Sequence, residues 1–493
     1  MQLTTHRSLS KRPKADLIVV PFFKTKKGVE NAVKLPDLEK VIAPILKTGD
    51  FSGKQGSTML VYLSGKEEKR LLLLGLGDPK NCSMEGIRKA YAAAMRRGQG
   101  KEWTQVNFVL PECPKFDLDE ITRAVAEGVV LTSYVFEEWK SKENKNPFHI
   151  KKGVLIGTQS EAICKKTLGI LTGVNLARNL VNRNALDVTP QTLAAEAKKL
   201  AKEFPSVTTK VLTKKELEKE KLGLLLAVGN GSNVDPALIM LEYKGAPQSK
   251  DLTMVVGKGV TFDTGGLNLK PTNFIEDMRT DMGGAAAALG LIQAAATIKL
   301  KANIAVVIPS TENAIDAHSY KPGDVYRAHS GMTVEITNTD AEGRLILADA
   351  LSYGQKHFKP DRIIDLATLT GAIVVALGDL RMGMFANNDS FAKSCEQAGE
   401  ASGERVWRMP LDPEYKDLLK SEIADIQNAG GKRMAGSVTA AIFLQEFVEK
   451  KTPWIHLDIA GTAFLEKGRD YNLSQATGVG VRLLIELLEC LNL

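Results

Sequence analysis

The chain reads as an α/β protein in two α/β domains, the larger, carboxyl-terminal one a mostly parallel, helix-covered sheet. Three observations predict this class. Its 493 residues exceed one ordinary domain and suit two, one of them large. Apolar, β-branched strand runs alternate with helical runs along the whole length, which is the order of an α/β fold. In the second part those strand runs are nearly unbroken in apolar residues, as in strands buried on both faces. A hydrophobic content of 44% against 25% charged residues supplies a sizeable core.

The first domain is expected over residues 1–160. Its strands are ADLIVVPFF (15–23), STMLVYLSG (57–65), RLLLLGLG (70–77), QVNFVLP (105–111) and, after a charged loop that begins at Glu137, GVLIGT. Helices are expected from Ser83 to Gly98 and from Asp117 to about Phe136. GLGDPK falls short of a dinucleotide-binding loop, because Lys80 stands where the third glycine would be, and it reads as a turn. The second domain, 161–493, opens with a linking helix over 161–182. TKKELEKEKLG (213–223) starts with a capping box, Thr213 with Glu216, and reads as an exposed helix. Strands are expected at PALIMLEY (236–243), DLTMVVGKGV (251–260), ANIAVVIPS (302–310), MTVEIT (332–337), RIIDLATLT (362–370) and WIHLDIAG (454–461). An alanine-rich helix follows Gly283, and RLILADALSYGQ (344–355) carries Leu345, Ala348 and Leu351 on one helical stripe.

No apolar stretch reads as long enough to span a bilayer. The basic start lacks an apolar run that ends in a small-residue cleavage site, so a cytoplasmic location away from membranes is expected. The five cysteines are odd in number and never form a C-x-x-C pair, as in reduced, structural thiols. The six histidines are dispersed, with no H-E-x-x-H, so a metal would have to be held by carboxylates. The formal charge of +7 lies wholly in the first third: residues 1–150 hold 25 Lys and Arg against 18 Asp and Glu, and the remainder balances. Lys11, Arg12, Lys14, Lys24, Lys26 and Lys27 crowd one stretch. A solvated basic face is the simpler reading of this excess. A nucleic-acid interface is the alternative, although no aromatic interleaving or recognition helix accompanies it.

Two acidic clusters carry the chemistry. NTDAEGRLIL (338–347) places Asp340, Glu342 and Arg344 at alternate positions between a strand and a helix. If that stretch is extended, both acids face one side, in the crevice where α/β folds bind ligands. Alone, the acids could simply complement a helix dipole. The second cluster lies in GKGVTFDTGGLNLKPTNFIEDMRTDMGG (257–284). Lys258 ends an apolar strand between two glycines, Asp263 enters a glycine turn, Lys270 precedes a proline and Asp281 stands at a helix start. Alone, Asp281 would be a helix cap and Asp263 an Asx-turn residue. Together, four carboxylates at strand ends and helix starts of one sheet would repel strongly unless cations neutralise them. Oxygen-rich sets of this kind suit paired divalent ions, and Lys258 could join them only if neutral. The chemistry therefore points to a two-metal hydrolase.

NTDAEGRL (338–345), with GKGVTFDTGG and the Lys270–Pro271 pair, strongly resembles the leucyl aminopeptidase, or cytosol aminopeptidase, family. The likeness runs from about Asn175 to the end and includes KPGDV (321–325), LATLTGA (366–372) and HLDIAG (456–461). It implies that Lys258, Asp263, Asp281 and Glu342 hold a tightly bound ion. Asp263, Asp340 (side chain and carbonyl) and Glu342 would hold an exchangeable one, the pair being Mn²⁺ or Zn²⁺. A water between them would attack the first peptide carbonyl, Lys270 would stabilise the oxyanion, and Arg344 would hold a bicarbonate that shuttles the proton. Met278, Thr368, Leu369, Gly371, Ala460 and Ala463 would bind the substrate side chain, with leucine and other apolar residues preferred. The resemblance also implies a homohexamer that acts on peptides with a free amino terminus. Some members of the family bind DNA as well. A phosphoesterase would use similar carboxylates, but the histidine ligands or phosphate-cradling loop expected of one are absent from the sequence.

Overall fold

A computed structural model describes residues 1–64, 67–98, 101–145, 149–430, 434–473 and 475–491. The chain divides into two compact units: Met1–Leu171 with Lys467–Ser474, and Thr172–Glu466 with Gln475–Leu493. The helix Glu161–Asn182 carries the change from one to the other.

In the first unit the strands are β1 (Gln2–His6), β2 (Leu17–Thr25), β3 (Gly28–Asn31), β4 (Thr58–Tyr62), β5 (Arg70–Gly75), β6 (Gln105–Val109) and β7 (Lys152–Ile156). They lie in the order β1-β7-β6-β2-β5-β4, with β3 beside β2. Among the described residues of this unit, only β3 and β4 pair antiparallel with their neighbours. The four leucines of β5, Leu71–Leu74, are fully buried, as a central strand requires. The stretch 467–474, far along the sequence, is tied to the helix Met84–Gly98. Asp470 pairs with Lys89 at 3.0 Å, and the Tyr471 hydroxyl donates to Glu85 at 3.1 Å. The basic stretch is less uniform than its sequence suggests: Arg12 is buried, bonded to Glu68 at 2.6 Å and Asp37 at 2.7 Å.

The second unit contains β8 (Val207–Leu212), β9 (Ala237–Lys244), β10 (Thr253–Gly257), β11 (Gly259–Asp263), β12 (Asn303–Asn313), β13 (Val325–Arg327), β14 (Thr333–Glu335), β15 (Arg362–Ala367), β16 (Met382–Ala386), β17 (Val406–Arg408), β18 (Ile426–Gln427) and β19 (Trp454–Asp458). The main sheet runs β17-β16-β19-β15-β10-β12-β9-β8, and β11 continues beside β12. Its centre, β19-β15-β10-β12, is parallel, and antiparallel pairs flank it. The carboxyl ends of all four central strands therefore open on one edge. The expected strand 251–260 is in fact two, broken at Lys258, where the chain leaves the pairing with β15 and moves along β12. MTVEIT keeps its strand, but as β14 of a separate three-stranded sheet with β13 and β18, not of the main one.

The reading that no apolar stretch could span a bilayer needs correction. Thr272–Ile298 is long and apolar enough by composition, yet 83% of its most apolar window is buried inside the protein. It contains the helix Gly283–Ile298, whose Ala285–Leu289 are all but inaccessible, and this burial marks a core helix. All five cysteines are free thiols, and four of them are buried.

Candidate metal centre

Lys258 sits at the break between β10 and β11, its N–H bonded to the Leu366 carbonyl at 3.0 Å and its carbonyl to Ala285 N–H at 2.9 Å. Both backbone groups are thus satisfied outside the strand, and the side chain enters the edge of the sheet. There Nζ lies 2.8 Å from Asp281 and 2.9 Å from Glu342, and donates to the Thr368 carbonyl at 3.0 Å. Lys270 makes the matching pair of contacts, 2.8 Å to Asp263 and 2.6 Å to Asp340. One oxygen each from Asp263, Asp340 and Glu342 lies within 4.8 Å of the others. The four acids and two lysines picked from the sequence therefore converge.

They converge by a different local route from the one expected. Residues 338–341 form a turn, with Ala341 N–H bonded to the Asn338 carbonyl at 3.2 Å, and Glu342 is the first residue of the helix Glu342–Phe358. Asp281 does not cap the helix Gly283–Ile298: its Oδ1 accepts the Thr368 hydroxyl at 2.7 Å. Asp263 does make the Asx turn, accepting Gly265 N–H at 2.8 Å, and also accepts the amide of Asn313 at 2.8 Å. Of the expected pocket residues, Thr368 and Leu369 follow β15, Gly371 begins the exposed start of the helix Gly371–Leu377, and Ala460 and Ala463 follow β19. Met278 opens the 3₁₀ turn that leads to Asp281. Thr368 and Ala463 both flank Gly283: a Cβ placed there would lie 3.2 Å from the Thr368 methyl and 3.4 Å from the Ala463 methyl.

Four residues that hold this arrangement were not picked from the sequence. Asn313 bridges Asp263 to the Thr339 carbonyl, 3.1 Å away, which also accepts the Tyr320 hydroxyl at 2.6 Å. Asn428, fully buried, accepts Thr337 N–H and Asn338 N–H and donates to the Asn338 carbonyl. Its own carbonyl accepts Arg344 at 2.8 Å. Asp458 accepts Leu369 N–H at 3.1 Å and the Thr370 hydroxyl at 2.6 Å. Their partners lie far off in sequence, so no local pattern announces them.

The electrostatics follow from four acids against two bases in little water. Burial opposes the charge of Lys258, but Asp281, Glu342 and Asp263 outweigh it and hold the ammonium. Lys270 is held protonated in the same way by Asp263, Glu342 and Asp340. Despite burial, Lys258 and Lys270 keep Glu342 below the usual carboxylate range. Burial and the neighbouring carboxylates push Asp263 and Asp281 up, and Asp340 to about 6. Burial brings Arg344 down to about 10, still charged at neutral pH. The cluster is thus short of positive charge. Asp281 Oδ2 and Asp340 Oδ1 are buried beside lysine nitrogens yet, among the described residues, accept no hydrogen bond of good geometry. Such a donor set fits hard divalent cations.

Acids and lysines gathered at the carboxyl edge of a parallel sheet place the protein among the metal-dependent hydrolases of the α/β class. Comparison with known proteins narrows the class. The model of the cytosol aminopeptidase family catalytic domain matches residues 175–485, and that of the same family's N-terminal domain matches 19–143. The probable cytosol aminopeptidase of Protochlamydia amoebophila (strain UWE25) is 48% identical over 495 residues, which span 100% of this chain and 99% of that one. That of Chlamydia felis is 46% identical over 98% of this chain and 97% of its own. Among solved structures, a mutant tomato leucine aminopeptidase superposes with a TM-score of 0.88 at 33% identity, covering 99% of this chain and 96% of that one. The bottromycin maturation enzyme BotP in complex with Mn gives 0.85 at 32% identity, covering 97% and 100%. The chain belongs to the cytosol aminopeptidase family. It is an aminopeptidase, a hydrolase of peptides that uses divalent metal.

Gly343 offers a test of the packing around Lys258. A methyl group there would lie 2.6 Å from Lys258 Cε and 2.7 Å from Nζ. Gly343→Ala should displace the lysine and weaken Mn²⁺ binding by about tenfold or more, the scale seen when metal-orienting residues are altered. Calorimetric titration with Mn²⁺ checks this, with circular dichroism as the control for folding.

Proposed function

We propose that this aminopeptidase removes leucine and other apolar residues from peptide amino termini with the help of two divalent cations. The observation that carries this reading is the convergence of Asp263, Asp281, Asp340 and Glu342 on Lys258 and Lys270. Lys258, Asp263, Asp281 and Glu342 would hold a tight ion and Asp263, Asp340 and Glu342 an exchangeable one, Mn²⁺ or Zn²⁺. Such a pair supplies Lewis acidity toward the peptide carbonyl and a water that ionises near neutral pH.

The chain's own groups do the rest. Lys258 can join as a ligand only by giving up the proton that Asp281 and Glu342 favour, so loading should release protons. Lys270 keeps its proton and donates to the oxyanion as charge develops on it. Arg344 would hold bicarbonate as a proton carrier. Its Nη1 is fixed by the Asn428 carbonyl, while its buried Nε has no hydrogen-bond partner among the described residues, which leaves a donor for an anion. The acidic cluster favours a substrate with a free, basic amino terminus, restricting cleavage to the first residue. Met278, Thr368, Leu369, Gly371, Ala460 and Ala463 would receive its side chain. The Thr368 and Ala463 methyls, both close beside Gly283, support an apolar wall for that pocket.

A cytoplasmic homohexamer is part of the same proposal, since the resemblance implies one and the curated relatives are named cytosol aminopeptidases. Light scattering that gave another subunit number would remove it. A DNA-binding role for the basic first unit has less support, because Arg12 is internally paired and exposed Lys14 faces Glu67. A mobility shift with duplex DNA at low salt, lost at physiological salt, would revive it.

Chelation should abolish leucyl-amide hydrolysis, and Mn²⁺, Co²⁺ or Zn²⁺ should restore it. Full activity in metal-stripped protein would falsify the metal mechanism. Lys270→Ala should cut kcat by roughly 10²–10³, the cost of an oxyanion donor, with bound metal unchanged. Asp281→Ala should instead lose the tight ion, and equal metal loss in both variants would show these roles to be misassigned. Because Asp340 titrates near 6, protons compete with cations below that pH. Affinity for the exchangeable Mn²⁺ should fall by up to about tenfold per pH unit there, as measured by competition with a chelating indicator.

A further inference from the structure

Asp458, the last residue of β19, is 1% exposed and accepts hydrogen bonds from two separate segments. Oδ1 accepts Leu369 N–H at 3.1 Å and Ala460 N–H at 3.2 Å, and Oδ2 accepts the Thr370 hydroxyl at 2.6 Å. Thr370 Oγ1 in turn accepts Ile373 N–H at 3.2 Å and so starts the helix Gly371–Leu377. Three donors that converge on one side chain call for a group that only accepts, which a carboxylate is.

The segment after β15 is fastened on its other side as well. The Thr368 hydroxyl donates to Asp281, and the Thr368 carbonyl accepts Lys258. Residues 368–370 therefore form a short strap between the acidic cluster and Asp458. Across from it, Ala463 N–H bonds to the Ile459 carbonyl at 2.9 Å, which fixes the turn after β19. Both segments flank Gly283, where an added Cβ would lie 3.2 Å from the Thr368 methyl and 3.4 Å from the Ala463 methyl, a tight fit on both sides. The charge on Asp458 has company: His456, on the same face of β19, is held by Asp365 at 2.5 Å, and Asp365 also accepts the Trp454 indole at 2.7 Å.

We propose that Asp458 is a specificity-positioning residue, clamping Leu369, Thr370 and Ala460 so that the pocket keeps the width that favours a leucine-sized side chain. The inference rests on the pocket assigned under the proposed function. Asp458 acts through the strap, by its bonds to Leu369, Thr370 and Ala460.

The test compares full-length wild type, Asp458→Ala, Asp458→Asn and Thr370→Val, each loaded with Mn²⁺. Leucyl and alanyl p-nitroanilides give the kcat and KM split, and calorimetry with the uncleavable amino alcohols L-leucinol and L-alaninol gives binding alone. Asp458→Ala should lose about tenfold of the leucyl-over-alanyl preference, the scale of side-chain discrimination in an apolar pocket. The loss should lie mainly in the leucyl KM and in leucinol affinity, with metal content unchanged. Asp458→Asn keeps an acceptor for the two N–H groups and should recover most of the preference. Thr370→Val removes the bond to Asp458 and the cap on Ile373 N–H at nearly constant volume, and should lose roughly threefold or more. An unchanged preference in Asp458→Ala, or equal losses on both substrates, overturns the clamp. If Asp458→Ala does not fold, an unchanged preference in Thr370→Val overturns it instead. A wild type that binds both amino alcohols alike overturns the pocket reading and the clamp together, an outcome distinct from failure of the clamp alone.

Discussion

Four carboxylates brought together with little water between them repel one another, and the protein holds them there with two lysines. Removing ionised groups from water is costly, and each ammonium offsets that cost only because it lies within hydrogen-bond distance of two acids. The lysines fall one short of each pair they serve, so the cluster stays poised to accept further positive charge. Much of the second unit can be read as scaffolding for this balance. The break of a central strand at Lys258 delivers one base, and the turn 338–341 aims two acids. Asn313, Tyr320 and Asn428 hold that turn by its carbonyls and N–H groups.

The scaffold gains its stiffness from the carboxyl edge of the parallel strands. Lys258, Asp263, Thr368 and Asp458 all leave the sheet there from neighbouring strands, so their spacing is set by strand pairing rather than by loop conformation. The helices Gly283–Ile298 and Glu342–Phe358 begin at the same edge and are almost wholly buried. A site built this way resists drift, because moving one ligand means shifting a ladder of backbone hydrogen bonds.

Long apolar strands and strongly periodic helices were readable from the sequence, and so were the acids and lysines, whose charge is conspicuous at strand ends. What escaped had weaker local signals. β1, QLTTH, and β8 are polar-rich edge strands, β16 contains a glycine, and β17 has only three residues. The extended conformation assumed for 338–342 was overruled by tertiary bonds from Asn428 and Asn268. The cap that Asp281 would make if read alone gives way to its bond with Thr368. Amides such as Asn313 and Asn428 look like ordinary turn residues until their distant partners are known. Asp458 lies within the family-like stretch HLDIAG, but nothing in that stretch names the residues it binds.

The stretch 467–474 binds the helix Met84–Gly98 through Asp470 and Tyr471, although more than three hundred residues separate them. The first unit is consequently discontinuous in the gene. Recombination that exchanged only the opening 171 codons between related enzymes would graft a domain without its own buttress, and Lys89 and Glu85 would face a stranger's residues. Inheritance of the first unit as a functioning module therefore requires two crossovers near the end of the coding sequence besides the one after residue 171, or tolerant substitutions in both pieces. A fragment library cut at the obvious linker would misjudge how stable that unit can be.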